Sequence, residues 1–309
     1  MHQPGWQAVE DWYDIATRVS RIEPGIATIV VSANDSSPAV VQQAASLPAL
    51  IFSPGPLGAF APARGKIYHG KPIHKFEQLW RLQQAGVSVP RTTQLGPDTR
   101  LDPKDWGEFV VVKPTDIASS SQGNGITLMR RERVRYIPRA DYPEGHPGRL
   151  GPMLVQQFID TGKHVRFYRV LTLFGRPLYC LLTRSQAERV ELSVDDTSLE
   201  SAPIAIQGFE DRERWFTYEA DVMALAAAAD RAIPEVAQKG CDIIRDVATG
   251  RLYVLEVNPG GNTWHFSSAI VAELRAKLAP DYERNMRTQL DALGTAAHAL
   301  AERTRLEAE

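Results

Sequence analysis

Apolar residues recur along the first part of the chain at spacings that predict one helix followed by a strand-helix-strand unit. Over 7–20 they recur every three or four residues, which is typical of an amphipathic helix. Apolar runs at 26–33 and 49–52 predict two buried strands, and a Ser-Pro pair ahead of 39–46 predicts a helix between them. A βαβ order of this kind implies a small parallel sheet near the N-terminus.

In the middle of the chain the pattern predicts a second unit of mixed helices and strands. An apolar face over 72–86 predicts a helix that ends at a glycine. Apolar runs at 109–114, 126–129 and 153–159 predict strands, and the first of these is followed by a loop of small residues. We expect the basic, Pro- and Gly-rich stretch over 130–151 to be an exposed insertion.

The last third of the chain predicts two antiparallel hairpins and several helices. Apolar runs over 165–173 and 177–183 flank a short turn, and a second pair of short strands with an Asp/Gly turn lies within 241–262. The stretches 53–64 and 193–215 have no clear periodicity. The helices predicted in this part are 219–237, 270–278 and 282–300.

The composition is that of an ordinary globular protein, since 43% of its 309 residues are hydrophobic and 23% are charged. A formal net charge of -2 argues against an electrostatic grip on nucleic acid or on an anionic membrane. We expect a soluble cytoplasmic protein, because no leader pattern and no apolar run near ~18 residues occurs. Cys180 and Cys241 lie in apolar runs and are expected to be buried free thiols, a disulfide between them being the alternative.

Oxygen-bearing side chains cluster in the second hairpin. Asp242 lies on its first strand, and Glu256 and Asn258 lie on its second strand. Residues two apart in a strand share a face, so Glu256 and Asn258 point the same way, with Asp242 across the hairpin. Two carboxylates and an amide suit Mg²⁺, which keeps several waters and often takes phosphate oxygens as further ligands. The alternative is structural: Asp242 and Asp246 cap the turn and Glu256 is a solvated strand residue.

Basic residues stand at the ends of three other predicted strands. Lys113 closes an apolar strand ahead of the Ser/Gly loop, where an ammonium group can reach a phosphate under flexible backbone. The alternative is an exposed lysine beside an ordinary turn. Arg166 and Arg184 belong to neighbouring strands and are either surface ion-pair partners or groups that stabilise a transferring phosphoryl group. No P-loop, dinucleotide-binding fingerprint, HExxH, GxSxG or paired CxxC motif is present.

The order of these parts resembles the ATP-grasp superfamily, which includes glutathione synthetase, D-alanyl-D-alanine ligase, carbamoyl phosphate synthetase and biotin carboxylase. A lysine-bearing helix is followed by VVVKPTD with its loop, LVQQFI, two arginine-bearing strands, and then CDIIRD and LEVNPGGN, over residues 70 to 275. The resemblance implies an α/β (α+β) ATP-grasp fold, with an N-terminal βαβ domain and two α+β subdomains that enclose the nucleotide. The implied domains are 1–88, a lid subdomain over 89–160, and a C-terminal subdomain over 161–309.

The resemblance also implies which residues bind the nucleotide. Lys75 matches the first nucleotide lysine of the family, and Lys113 matches the second. The loop resembles the flexible lid over the β- and γ-phosphates, and the linker after it matches the segment whose backbone reads adenine. The lid residues are Ser119, Ser120, Ser121, Gly123 and Gly125, and the linker residues are Gln156, Gln157, Phe158 and Ile159.

For the metal and the substrates, the resemblance implies three further groups of residues. Asp242, Glu256 and Asn258 match the Mg²⁺ ligands, although the separation of Asp242 and Glu256 includes a slightly long turn that leaves Asp246 as a competing ligand. Arg166 and Arg184 match the arginines near the acyl phosphate, but His164 stands where the peptide-ligase branch often has Asp. The segment that faces the acceptor substrate contains Gly261, Asn262 and His265.

The implied function is an ATP-dependent ligase that joins a carboxylate to an amine or a related nucleophile through an acyl phosphate. Its cofactors would be ATP and Mg²⁺, with Mn²⁺ as the alternative ion. Its substrates would be a small-molecule carboxylate and amine, with amino acids or peptides among the candidates, and homodimers are common among similar proteins. A small-molecule kinase on the same fold and a non-catalytic ATP-binding protein are the other hypotheses.

Overall fold

The structure is a computed structural model of the chain. Several predictions lie outside the residues that it describes: the lid residues Ser119, Ser120, Ser121 and Gly123, the substrate residues Gly261 and Asn262, and the helix over 270–278. The described residues are 6–35, 37–115, 125–204, 211–260, 263–268 and 281–309.

The strands of the described residues form three sheets. A two-stranded parallel sheet contains β1 and β2, a four-stranded antiparallel sheet has the order β3-β6-β4-β5, and a five-stranded antiparallel sheet has the order β11-β10-β7-β8-β9. The strands are β1 Leu50–Ser53, β2 Lys66–His69, β3 Thr92–Gln94, β4 Phe109–Pro114, β5 Thr127–Arg130, β6 Met153–Gln157, β7 Arg166–Leu173, β8 Arg176–Ser185, β9 Arg212–Phe216, β10 Gln238–Arg245 and β11 Leu252–Pro259.

Most of the helices pack against these sheets, and the first and last of them pack against each other. They are α1 Val9–Ile22, α2 Pro38–Ala45, α3 Lys75–Gln84, α4 Pro103–Trp106, α5 Asp196–Ser201, α6 Ala220–Arg231, α7 Tyr282–Thr288 and α8 Ala292–Glu307. No helix among the described residues is long and apolar enough to cross a membrane.

The five-stranded sheet separates two hydrophobic clusters, which explains why its strands β7 and β8 contain apolar runs in the sequence. Tyr168 and Val170 face one cluster, whereas Leu171 and Leu173 face the other. Residues Phe174 and Gly175, which join β7 to β8, both have positive φ angles of 48° and 80°. Such a two-residue turn matches the twist of a hairpin, and the predicted hairpin over 165–183 is confirmed.

The N-terminal prediction is partly wrong. The run 26–33 forms no sheet strand, apart from a single bridge residue at Ser32. It passes beside α1 instead, where Ile26 and Val30 pack against the core while Ile29 is 43% exposed. The parallel pair is formed by β1 and β2, so apolar residues at 26–33 signalled packing against a helix and not a place in a sheet.

One other prediction is refined and one needs correction. Most of the stretch 130–151 is exposed, as expected, but Tyr142 is buried in the core of the four-stranded sheet and stacks on His146 at 4.5 Å. The helix predicted over 282–300 is broken into α7 and α8 at Asp291, whose φ is 43°. The expectation of buried free thiols is confirmed, since Cys180 and Cys241 are both buried and unbonded, and burial raises the pKa of each thiol to about 12.

Candidate active site

Three charged side chains form a row across the middle of the five-stranded sheet. Asp242 on β10 lies opposite Glu256 on β11 on one side and opposite Arg169 on β7 on the other. Adjacent strands lie only about 4.8 Å apart, so side chains in one row of a sheet contact each other. The guanidinium of Arg169 binds the Asp242 carboxylate with both Nε and Nη2, the latter at 2.8 Å. An acidic pair and an arginine therefore share one face of the sheet.

A β-bulge sets the register of this row. Asp242 faces Glu256 but Ile243 faces Val254, so Leu255 is the extra residue of β11. Because of the bulge, the Glu256 carboxylate lies on the site face of the sheet and Val254 lies in the hydrophobic core on the opposite face. It also accounts for the long separation between Asp242 and Glu256 in the sequence.

Asp246, the competing metal ligand, lies in the turn of the hairpin. Its Oδ1 accepts hydrogen bonds from the backbone N–H of Ala248 at 2.9 Å and of Thr249 at 2.8 Å. It also accepts one from the Thr249 hydroxyl at 3.0 Å. An aspartate that caps its own turn in this way has a structural role, and the structure brings Asp242 rather than Asp246 to Glu256 and Asn258.

The side chain of Asn258 completes the acidic group. Its amide nitrogen lies 3.4 Å from Asp242 Oδ2 and 3.5 Å from Glu256 Oε1. The three predicted metal ligands thus converge on one point of the site face.

Lys75 reaches this point from the first turn of α3. Its Nζ forms an ion pair with Glu256 Oε2 at 2.9 Å. The helix is held against β11 by the buried Gln78, whose Oε1 accepts a hydrogen bond from the backbone N–H of Val257 at 3.1 Å. Because Gln78 lies one turn after Lys75, this contact fixes the lysine beside Glu256.

Lys113 reaches the same group from the four-stranded sheet. It is buried, and its Nζ donates a hydrogen bond to Gln156 Oε1 at 2.9 Å. The Gln156 amide nitrogen in turn donates to the Thr92 hydroxyl at 3.1 Å. Burial and the positive charge of Lys75 lower the pKa of Lys113 to about 8. An anionic ligand beside Lys113 would stabilise the charged form of this lysine.

The two carboxylates titrate in opposite directions. Burial alone would raise the pKa of Glu256, but the charges of Lys75 and Lys113 outweigh it and lower the pKa to about 2. Burial raises the pKa of Asp242 to about 6; Arg169 opposes this rise, whereas the negative charge of Glu256 adds to it. For Arg169, burial would lower the pKa, but the Asp242 carboxylate outweighs it and raises the pKa. Glu256 is thus the carboxylate held firmly in its charged form.

The predicted adenine linker connects the two larger sheets. Gln156 and Gln157 are the last residues of β6, and Ile159 is buried. The Phe158 ring lies 5.3 Å from the guanidinium of Arg189. The linker therefore lies next to Lys113, with Gln156 and Ile159 buried. Among the lid residues, Gly125 is described: it has a φ of 68°, and a Cβ placed there would lie 2.9 Å from Pro147.

Arg166 and Arg184 do not join the acidic group. They lie opposite each other on β7 and β8. Arg166 lies three positions before Arg169 in the strand, so strand alternation places Arg166 on the other face of the sheet. Arg184 forms an ion pair with Glu213 and lies 5.1 Å from the ring of Trp215. Their assigned roles stay predictions.

Sequence reasoning missed three arginines on the site face. Arg169 stands alone among Phe167, Leu171 and Leu173 on an otherwise apolar side of β7, a pattern that could have revealed it. Arg212 and Arg214 lie on β9 in the stretch that showed no periodicity. Register with β8 places both on the face of Arg169.

The surroundings of Arg212 and Arg214 are unfavourable for two cations. Burial and the charges of Arg214 and Arg169 lower the pKa of Arg212 to about 10, although Asp242 acts in the opposite direction. Burial also lowers the pKa of Arg214. Partly desolvated guanidinium groups of this kind are suited to an anionic partner.

His265, which was predicted to face the acceptor substrate, lies beside β8. Its ring stacks on the buried Tyr179 with 6.0 Å between ring centroids. Just before it, Gly260 has a φ of 133°, and the backbone of the N-terminal region approaches closely: a Cβ at Gly70 would lie 2.9 Å from the Gly260 Cα. The loop after β2 therefore borders the segment that follows Asn258.

The residues present fit a Mg²⁺ ion. The described part of the chain has no cluster of three or more His, Cys, Asp and Glu side chains arranged for a metal. The site instead offers two carboxylates and an amide, a set that suits an ion which takes its other ligands from water and phosphate. Lys75 and Arg169 pair with Glu256 and Asp242, the two carboxylates whose negative charge a Mg²⁺ ion would also neutralise.

Comparisons with known proteins place this arrangement on a known fold. No family model matches the chain, and no curated protein matches its sequence. Among solved structures, D-cycloserine synthetase DcsG matches with a TM-score of 0.51 and 16% identity over 96% of this chain and 95% of that chain.

Two further matches have lower TM-scores. D-alanine–D-alanine ligase from Bacillus anthracis has a TM-score of 0.41 and 16% identity, over 74% of this chain and 68% of that one. ATP-grasp ligase PsnB, solved with a precursor peptide and AMPPNP, has a TM-score of 0.43 and 18% identity, over 78% and 63%. The fold predicted from the sequence is confirmed: the chain shares the α/β fold of D-cycloserine synthetase DcsG over nearly its whole length.

Proposed function

We propose that the protein is an ATP-dependent ligase that joins a carboxylate to an amine, or to a related nucleophile, through an acyl phosphate. The observation that carries this proposal is the row of Glu256, Asp242 and Arg169, with Lys75 and Lys113 beside it. Oxygen ligands for a cation and ammonium groups for phosphates lie side by side there. Phosphoryl transfer from a nucleotide depends on such positioning and electrostatics, and needs no nucleophilic side chain.

In this proposal the two lysines hold the phosphates of ATP. Lys113, buried at the end of β4, gives up its contact with Gln156 or shares it with a phosphate oxygen. Lys75 binds a phosphate oxygen of the nucleotide in addition to the Glu256 carboxylate. The backbone of residues 156–159 binds the adenine, and the loop that ends at Gly125 covers the phosphates and excludes water that would hydrolyse the intermediate.

Asp242, Glu256 and Asn258 would hold Mg²⁺ in this proposal. When bound, such an ion neutralises charge on the phosphate oxygens. The charges of Lys75 and Lys113 lower the pKa of Glu256 to about 2, so this carboxylate is ionised and able to bind a cation at neutral pH. Arg169 orients the Asp242 carboxylate by binding both of its oxygens.

The proposed reaction has two steps. A carboxylate oxygen of the first substrate attacks the γ-phosphorus, the bond to the β-phosphate oxygen breaks, and ADP leaves. The amine of the second substrate then attacks the acyl carbon, loses a proton, and expels inorganic phosphate. Arg212 and Arg214 lie on the site face and are suited to bind the carboxylate or the transferring phosphoryl group.

Product analysis tests this proposal. The protein is incubated with ATP and Mg²⁺ and with panels of small carboxylates and amines, including amino acids and short peptides. We expect ADP and inorganic phosphate in equal amounts, only when both substrates are present, together with a product that has lost one water relative to the two. Hydroxylamine in place of the amine should trap the acyl phosphate as a hydroxamate.

Other outcomes identify the competing functions. A phosphorylated product with ADP and without inorganic phosphate would identify a small-molecule kinase. Tight ATP binding without any substrate-dependent turnover would identify a nucleotide-binding protein. A product containing AMP would contradict the acyl-phosphate route.

A further inference from the structure

A buried aspartate in the first helix holds the segment that follows the predicted metal ligand Asn258. Asp11 lies in the first turn of α1 and is 3% exposed. Its Oδ2 accepts hydrogen bonds from Trp264 Nε1 at 2.8 Å and from the Ser267 hydroxyl at 2.6 Å. Its Oδ1 binds Arg287 of α7 at 2.6 Å. One carboxylate therefore joins three separate parts of the chain.

The first helix grips this segment in two further ways. The backbone N–H of Ala8, which caps α1, donates a hydrogen bond to the Ser267 hydroxyl at 3.1 Å. The ring of Trp12 stacks on that of Trp264 with 4.7 Å between ring centroids. These contacts link residues more than 240 positions apart in the sequence, so they are not by-products of local structure.

The near end of the segment is held by the sheet. Tyr179 donates a hydrogen bond from its hydroxyl to the Thr263 carbonyl at 2.9 Å. The amide of Gln238 donates to the Thr263 hydroxyl at 3.1 Å and to the Gly260 carbonyl at 3.2 Å. Trp264 and Phe266 are fully buried, whereas His265 between them is partly exposed on the ring of Tyr179.

The segment lies at the end of the β10–β11 hairpin that is remote from the nucleotide linker. The turn end meets that linker, because the backbone N–H of Val247 binds the Asp160 carbonyl at 2.9 Å. The other end, where Gly240 faces Asn258, leads into Thr263–Ser268. A substrate that approaches the row of Asp242 and Glu256 from the side opposite the nucleotide linker would meet this segment.

We propose that Asp11 is a positioning residue for the second substrate, because through Trp264 and Ser267 it fixes the segment Thr263–Ser268 and with it His265. The inference rests on the proposed ligase function. A buried carboxylate with three charge-assisted or neutral donors is fully satisfied, and its loss leaves the Trp264 N–H without its acceptor and removes the nearer of the two carboxylates that bind Arg287. The segment would then shift, and a displacement of about 1 Å beside a reacting group costs up to about a hundredfold in rate.

The test compares Asp11→Asn and Ser267→Ala with a matched control, Val19→Ala. Val19 is buried in the same helix and in the same hydrophobic cluster, and its truncation destabilises the core without touching Asp11. We expect both test variants to raise the KM for the second substrate, the amine, about tenfold or more, while the Kd for ATP with Mg²⁺ changes less than about twofold. Val19→Ala should leave both constants unchanged in spite of a lower Tm.

A second measurement does not depend on turnover. Hydrogen exchange should be faster in Asp11→Asn than in the parent protein at the amides of His265 and Ser268, which bind Thr263 O at 2.9 Å and Trp264 O at 3.1 Å. Faster exchange without any ligase activity in the parent protein would contradict the proposed function and leave the positioning intact. Unchanged exchange and KM in Asp11→Asn, or equal changes in Val19→Ala, would overturn the inference.

Discussion

The acidic and the basic halves of the site differ in how the chain builds them. The acidic half comes from one hairpin, where Asp242, Glu256 and Asn258 are brought together by two consecutive strands. The basic half comes from α3, β4, β7 and β9, which lie far apart in the sequence. In the first case alternation within a strand and one turn decide the geometry. In the second, the register between distant strands decides it, and a shift of one residue turns a side chain to the other face.

The largest effect should come from breaking the acidic half. Glu256→Gln keeps the shape of the side chain but removes the charge held by Lys75 at 2.9 Å. We expect ATP turnover in the presence of Mg²⁺ to fall by about 10²- to 10³-fold, with little change in Tm. Asp246→Asn is the matched control in the same hairpin, and its turnover should stay within about threefold of the parent protein. Full activity of Glu256→Gln in steady-state assays would remove Glu256 from the metal site.

The next test compares the two faces of β7. Arg169→Lys keeps a positive charge but loses the two-point contact with Asp242. We expect kcat to fall by about 10- to 100-fold, because the Asp242 carboxylate loses its orientation. Arg166→Lys on the opposite face should have an effect below about threefold. The reverse result would restore the assignment that the resemblance implied for Arg166.

A smaller effect is expected at β9. Arg212→Ala removes a partly buried guanidinium on the site face, whereas Arg184→Ala removes one that is paired with Glu213 on the other face. We expect Arg212→Ala to raise the KM for the carboxylate substrate about tenfold and Arg184→Ala to leave it nearly unchanged. Equal KM values for the two variants, measured at saturating ATP, would contradict the placement of Arg212 in the substrate site.

The sequence allowed the acidic half and most of the fold to be predicted, and the reasons for the rest are physical. The apolar signal over 165–183 and 238–259 is strong because the five-stranded sheet has a hydrophobic cluster on each of its faces. The run 26–33 carries a similar apolar pattern but packs on α1 instead of pairing, a choice that depends on tertiary contacts. Arg169 was missed because its partner Asp242 lies 73 residues away, on a strand that pairs with β7 only in the folded chain.

The smallest predicted effect is on the pH dependence of ATP affinity, and it tests whether Lys113 binds the phosphates. Burial and Lys75 lower the pKa of Lys113 to about 8 in the nucleotide-free protein. Lys113 is therefore charged below this pH and neutral above it, so the affinity for ATP should fall as the pH rises from 7.5 to 9. The loss cannot exceed about tenfold per pH unit, the limit for one proton. Arg stays charged over this range, so Lys113→Arg should bind ATP with an affinity that changes much less with pH. Calorimetric titrations of both proteins at matched ionic strength would decide, because an equal pH dependence of the two affinities would show that Lys113 does not contact the phosphates.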